Sequence, residues 1–190
     1  MPYFNSRDVA AIAMCAALWG VLNSIFAPAF FRMFNLPFLC DLIGFSVLTI
    51  AAWWIRKFGA ITVIGLVATV INFVFVPGGV HFLGFTAASV FFDLITRLVG
   101  YDNSFRKSIF TVTSMMIISI SSAALAGYII GTFFMAGNAL LKWGGVLGWA
   151  GLHTIGSVIG GAIGTFLILS LNSRKVMVNG QTEWQPKREN

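Results

Sequence analysis

This sequence carries very little charge. Only 9% of its 190 residues are Asp, Glu, Lys or Arg, where a soluble domain carries about 25%. The hydrophobic share is 58% and the mean hydropathy is +0.89. A chain of this length cannot enclose so much apolar surface, which excludes an ordinary soluble domain and predicts an integral membrane protein. Cysteine is nearly absent too. Cys15 and Cys40 lack metal-ligand spacing, and they fall at different depths in the topology below, so no disulfide is expected. Two histidines, His81 and His153, are a weak basis for a metal site. There is no P-loop, no HExxH, no GxSxG elbow and no nucleophile with a nearby candidate base. An enzyme is therefore not expected. No internal repeat is visible.

What the chain does have is long apolar segments. A helix needs about 20 mainly apolar residues to cross a bilayer. Six stretches qualify, roughly 7–27, 37–55, 58–76, 80–99, 108–134 and 147–171. The predicted fold class is all-α, a compact bundle of six transmembrane helices over residues 1–171 with a polar, basic cytoplasmic tail over 172–190. The first stretch exceeds a signal-peptide h-region of about 7–15 residues, and five more follow it. If the N-terminus is cytoplasmic, Arg7, Arg56, Lys57, Arg97, Arg106, Lys107, Arg174, Lys175, Lys187 and Arg188 share its side. Only Arg32 and Lys142 face the other. That asymmetry predicts both termini in the cytoplasm and a cell-membrane location. The net charge of +6 thus sits at helix ends on one side, beside membrane lipid, and does not point to nucleic acid. Trp53 and Trp54 are expected in an inner aromatic belt, Trp143 and Trp149 in an outer one. Two outer connections, 28–36 and 135–146, are long enough to carry binding residues or act as lids.

Two small-residue patterns stand out. Ala10, Ala13, Ala17, Gly20 and Ser24 recur at steps of three or four, so they share one face of the first helix. Membrane helices associate where small residues let backbones approach, which predicts a docking face for another helix or another protein. Gly148, Gly156, Gly160 and Gly164 do the same on the last helix, and tight packing is the plain reading. Polar residues at depth are costly and face a cavity or the bundle interior. In the outer half these are Asp41, Asn72, His81, Tyr128, Asn138 and His153. With Phe82, Trp143 and Trp149 they form a candidate substrate pocket, a few hydrogen-bonding groups among aromatics. The competing readings are structural. Asp41 would pair with Arg32, Asn72 and Tyr128 would bond between helices, and His153 would bond a carbonyl. Asp93 and Arg97, four apart, are expected to pair locally, with a coupling role as the alternative. The serines at 114, 119, 121 and 122 are expected to bond their own helix backbone.

Six short helices with both ends inside and the opening AAIAMCAALW resemble the substrate-binding S component of an energy-coupling factor (ECF) vitamin transporter. Ala13 and Ala17 match that family's AxxxA pattern. The stretch IRKFGAITVIGLVATVINF, residues 55–73, looks like the helix 2–3 turn of the branch that takes up hydroxymethylpyrimidine, a thiamine precursor. Phe58 stands where that branch commonly has Pro. The resemblance implies an extracellular site for one small vitamin or precursor, capped by the helix 1–2 and helix 5–6 loops. It implies docking through Ala10, Ala13, Ala17 and Gly20 to a T component. It implies two ABC-type ATPase subunits that use the ATP, and no cofactor in this chain. Two alternatives stay open: a stand-alone proton-coupled carrier using Asp93 or His153, and an assembly subunit that binds nothing small.

Overall fold

The computed structural model describes residues 2–174 and residue 176. Among them the backbone is helices joined by short turns, with no strand. The helices are α1 (Ser6–Phe34), α2 (Phe38–Ile55), α3 (Ala60–Phe75), α4 (Phe82–Val99), a short α5 (Tyr101–Ser104), α6 (Ser108–Ile129), a short α7 (Gly137–Leu141) and α8 (Gly145–Ser173). A π turn over Ile130–Phe134 prolongs α6. Five helices, α1, α2, α4, α6 with its π turn and α8, are long and apolar enough to cross a membrane. The chain is thus consistent with a multi-pass membrane protein. Helix α3 has 16 residues, about 24 Å at 1.5 Å per residue.

Helix boundaries depart from the sequence reading in three places. Helix α1 does not stop near residue 27 but runs through Pro28 to Phe34, because neighbouring helices and hydroxyls re-satisfy backbone freed by a membrane proline. It ends where Asn35 turns left-handed (φ 54°) and gives its N–H to the Phe31 carbonyl. Most of the expected 28–36 loop is therefore helix. The 135–146 connection contains α7. At the other terminus α8 continues to Ser173. Lys175 and the tail from 177, with Lys187 and Arg188, lie outside the described residues.

The long helices form a closed ring of neighbours in the order α1, α2, α8, α6, α4, α3 and back to α1. One end of the bundle carries the 56–59 turn and α5, with most of the basic residues. The other carries the 35–37, 76–81 and 135–144 connections. Between α2 and α8 the glycines set the distance. A Cβ at Gly160 would lie 2.8 Å from the carbonyl oxygens of Asp41 and Leu42, and one at Gly164 2.8 Å from Thr49 Cβ. The Ser46 hydroxyl donates across this seam to the Gly160 carbonyl at 2.9 Å. Gly148 is different, since a Cβ there would strike the carbonyl of Trp143 in its own preceding turn.

The small-residue face of α1 divides. Ala10, Ala13 and Ala17 are exposed, but Gly20 and Ser24 are buried. A Cβ on Gly20 would stand 2.8 Å from Ile71 of α3. Gly20 therefore belongs to the α1–α3 contact and not to an open docking face. Two tryptophans also leave their expected belts. Trp53 and Trp149 are turned into the bundle and buried among its side chains.

Asp93 does not pair with Arg97. Its carboxylate is wholly buried and caps the start of α3. Oδ2 accepts from the Gly59 N–H (2.8 Å), the Thr62 N–H (3.1 Å) and the Thr62 hydroxyl (2.9 Å), and Oδ1 accepts from the Tyr101 hydroxyl. Unpaired N–H groups and the positive end of the helix dipole favour a carboxylate there, and these bonds outweigh one screened ion pair. Burial, with the Asp93 carboxylate beside it, raises the Tyr101 phenol above its ordinary value, so it stays a donor. Arg97 instead lies over the Phe58 ring at 4.6 Å. Ser114 and Ser121 do bond their own helix, donating to Phe110 (2.6 Å) and Ile117 (2.8 Å) carbonyls, whereas the hydroxyls of Ser119 and Ser122 are buried without a protein partner.

Two substitutions test this packing in detergent-solubilised protein. Gly160→Val should lower stability by about 2 kcal/mol or more, read as a drop in the thermal midpoint, while Gly151→Ala, with open space around it, should be neutral or stabilising. Asp93→Ala should cost about 3 kcal/mol by orphaning its donors.

Candidate functional site

At the end opposite the basic residues the ring encloses a cavity of about 330 Å³. That lies near the lower bound of small-molecule sites, about 300 Å³. The helices supply its walls in turn. From α1 come Asn23, Ala27, Pro28, Phe31 and Arg32. Pro37, Cys40, Asn72, Val76 and His81 follow from the next elements, and α4 gives Phe82 and Phe85. The π turn and the residue after it add Ile130, Phe134 and Met135, and α8 adds Trp149 and His153. A π turn widens a helix locally and often marks a functional site; here it turns Ile130 and Phe134 to the cavity.

The floor is aromatic. Phe82 and Phe85 stack at 5.3 Å and both rest on Trp19, at 6.4 and 6.2 Å. His153 meets Phe85 edge-on at 5.6 Å and Trp149 at 5.3 Å. Behind it, Nδ1 lies 3.0 and 2.9 Å from the two carboxylate oxygens of Asp41. Asp41 is 0% exposed and His153 2%. The pair joins α2 to α8 beside Gly156, where a Cβ would lie 2.8 Å from Asp41 Cβ. Asp41 thus pairs with His153 and not with Arg32, because a buried carboxylate needs a partner at its own depth. Arg32 is exposed at the cavity mouth and makes no ion pair among the described residues.

Polar atoms in this cavity are left open. Asn72 Nδ2 donates to Ser24 Oγ at 2.9 Å, and that hydroxyl donates to the Gly20 carbonyl at 2.6 Å. Asn72 Oδ1, Asn23 Oδ1, Trp149 Nε1 and His153 Nε2 are buried and have no protein partner. An unmade buried hydrogen bond costs about 1–3 kcal/mol. Four such atoms around one cavity fit a bound molecule that completes them. His81 stacks on Phe82 at 5.6 Å.

Of the expected substrate residues, Asn72, His81, Phe82, Trp149 and His153 line the cavity, and Asp41 backs His153. Three do not line it. Tyr128 is 51% exposed on the outside of α6, Asn138 is exposed on α7, and Trp143 stands behind Trp149 at 6.2 Å. Each lies near the correct end, but Tyr128 and Asn138 are turned away by the rotation of their helices, and Trp143 sits in the turn between α7 and α8. Asn23, Phe31 and Phe85 were missed. Asn23 carried a usable signal, being an amide deep in an apolar helix; Phe85 lies one turn beyond Phe82 and shares its face.

The Asp41–His153 pair should behave as a coupled unit. His153→Ala should cost about 3–5 kcal/mol by stranding a buried carboxylate, and Asp41→Ala combined with it should recover part of that loss. A thermal double-mutant cycle reads the difference. No protein-family model matches this chain, and neither a curated protein nor a solved structure matches it.

Proposed function

We propose that this chain is the substrate-capture (S) subunit of an ECF-type ABC importer for a small vitamin or vitamin precursor. The observation that carries the reading is the cavity, with its aromatic floor and four open polar atoms at one end of the bundle. In this reading all six long helices span the membrane, and both termini are cytoplasmic by the positive-inside asymmetry. The cavity then opens to the extracellular side, between the last turns of α1 and the 135–146 connection expected to act as a cap. Pyrimidines of the thiamine pathway are the favoured cargo, since flat rings suit the aromatic floor. The exposed face of Ala10, Ala13 and Ala17 is where the T component would dock. Two partner ATPases would supply the energy, because this chain carries no P-loop. The carrier alternative has less support at Asp93, whose carboxylate is occupied in capping α3.

Titrating purified chain with a panel of vitamins and precursors, hydroxymethylpyrimidine and thiamine included, should give saturable quenching of tryptophan fluorescence by one compound without any ATPase. Quenching by none of them, from folded protein, would remove the capture reading. Ala13→Trp should abolish uptake in cells while leaving that quenching unchanged. Uptake by vesicles containing this chain alone and a pH gradient would instead favour a proton-coupled carrier.

A further inference from the structure

We propose that the cavity selects an uncharged flat ring bearing both a hydrogen-bond acceptor, taken by His153 Nε2–H, and an N–H donor, taken by Asn72 Oδ1. The inference rests on the capture reading above and narrows its ligand class.

The polarity of each group follows from its second contact. Ser24 spends its only hydroxyl proton on the Gly20 carbonyl, so toward Asn72 its oxygen can only accept. That fixes the amide, with Nδ2 toward Ser24 and Oδ1 left as a buried, unpartnered acceptor at the cavity. His153 is fixed by proton counting. One proton lies between Nδ1 and the Asp41 carboxylate. A net charge buried at this depth is costly, so the pair is held electroneutral. Whether the bridging proton sits on nitrogen or on oxygen, a neutral pair keeps its other proton on Nε2. That nitrogen is buried, unpartnered and lines the cavity, so it is a donor. Trp149 Nε1 adds a second open donor and Asn23 Oδ1 a second open acceptor.

The charge of the ligand follows from what surrounds these atoms. Asp41 is already matched by His153, which leaves no buried anion free for a cation. The cation nearest the cavity, Arg32, is exposed at the mouth, so no buried cation meets an anion. Stacking surfaces at Phe82, Phe85 and Trp149 favour a flat ring. A neutral aminopyrimidine or a ring lactam meets every condition, whereas a quaternary thiazolium or a ring carboxylate does not.

The test uses full-length chain in lipid nanodiscs, with calorimetric titration of rings of equal size. 4-Aminopyrimidine carries donor and acceptor, pyrimidine lacks the donor, and aniline lacks the ring acceptor. The first should bind about tenfold more tightly than either of the others, as one lost hydrogen bond implies. Pyrimidine-4-carboxylate and thiamine should bind more weakly still. Asn72→Leu should erase the preference over pyrimidine and retain the preference over aniline. Ser24→Ala, which leaves Asn72 in place but frees its amide to turn, should shrink the same preference. Equal binding of the three rings overturns the inference, as does tightest binding by an ionised compound. An unchanged preference in folded Ser24→Ala and Asn72→Leu overturns it too. If a panel vitamin binds the cavity but these rules fail, the capture reading survives and only the selection rule falls. If nothing binds, both fall.

Discussion

The contact between α2 and α8 is the constraint on which the rest depends. In lipid there is no hydrophobic gain from bringing two helices together, so close approach must come from packing and hydrogen bonds. Gly156, Gly160 and Gly164 remove the side chains that would keep the backbones apart. That nearness brings Asp41 within reach of His153, and the buried pair then fixes the rotation of both helices about their axes. The aromatic floor is built onto this joint, since Trp149 and Phe85 both pack against the His153 ring. A bulkier seam would move the floor of the cavity as well as the helices.

At the other end, order is imposed by charge. Asp93 reaches from α4 to the exposed N–H groups at the start of α3, and Tyr101 holds it from below. Asp8 closes the capping box of α1 and accepts from Lys57 at 2.6 Å, which ties the first helix to the α2–α3 turn. One end of the molecule is thus clasped by carboxylates, while the cavity at the other holds four buried polar atoms without a protein partner. The carboxylate clasps and the cavity are separated along the bundle axis, which the proposed capture role would require.

Much of this was legible in the sequence because lipid makes it so. Apolar length gave the helices, and the cost of burying polar groups pointed to Asn72, His81 and His153, which do line one cavity. The glycine spacing on α8 gave the packing. What stayed hidden depends on rotation and on partners far along the chain. Tyr128 and Asn138 have the right chemistry and depth but the wrong azimuth. Asp93 had an obvious neighbour four residues on, yet its partners are Tyr101, eight residues on, and Thr62 and Gly59, 31 and 34 residues back. Asp41 likewise found its counterpart 112 residues on in the chain. Gly20 shares a spacing with Ala13 and Ala17, but α3 covers one part of α1 and not the other. Spacing defines a face; only the neighbour decides whether that face is open.

The brevity of α3 has a consequence for the surrounding bilayer. Its 16 residues span about 24 Å, several ångströms less than a hydrocarbon core of about 30 Å. Its outward side chains, among them Val70 and Val74 at 62% and 73% exposure, would face lipid. If α3 spans the bilayer, as the capture reading holds, the acyl chains along that flank would compress or tilt, at a fraction of a kcal/mol for each ångström. Helices α2 and α4, with 18 residues and about 27 Å each, fall short by less, while α1 and α8 are long enough, so the mismatch would be greatest at α3. A thinned lipid sector of this kind would give the bundle a preferred orientation among its neighbours in the plane of the membrane, before any protein has touched it.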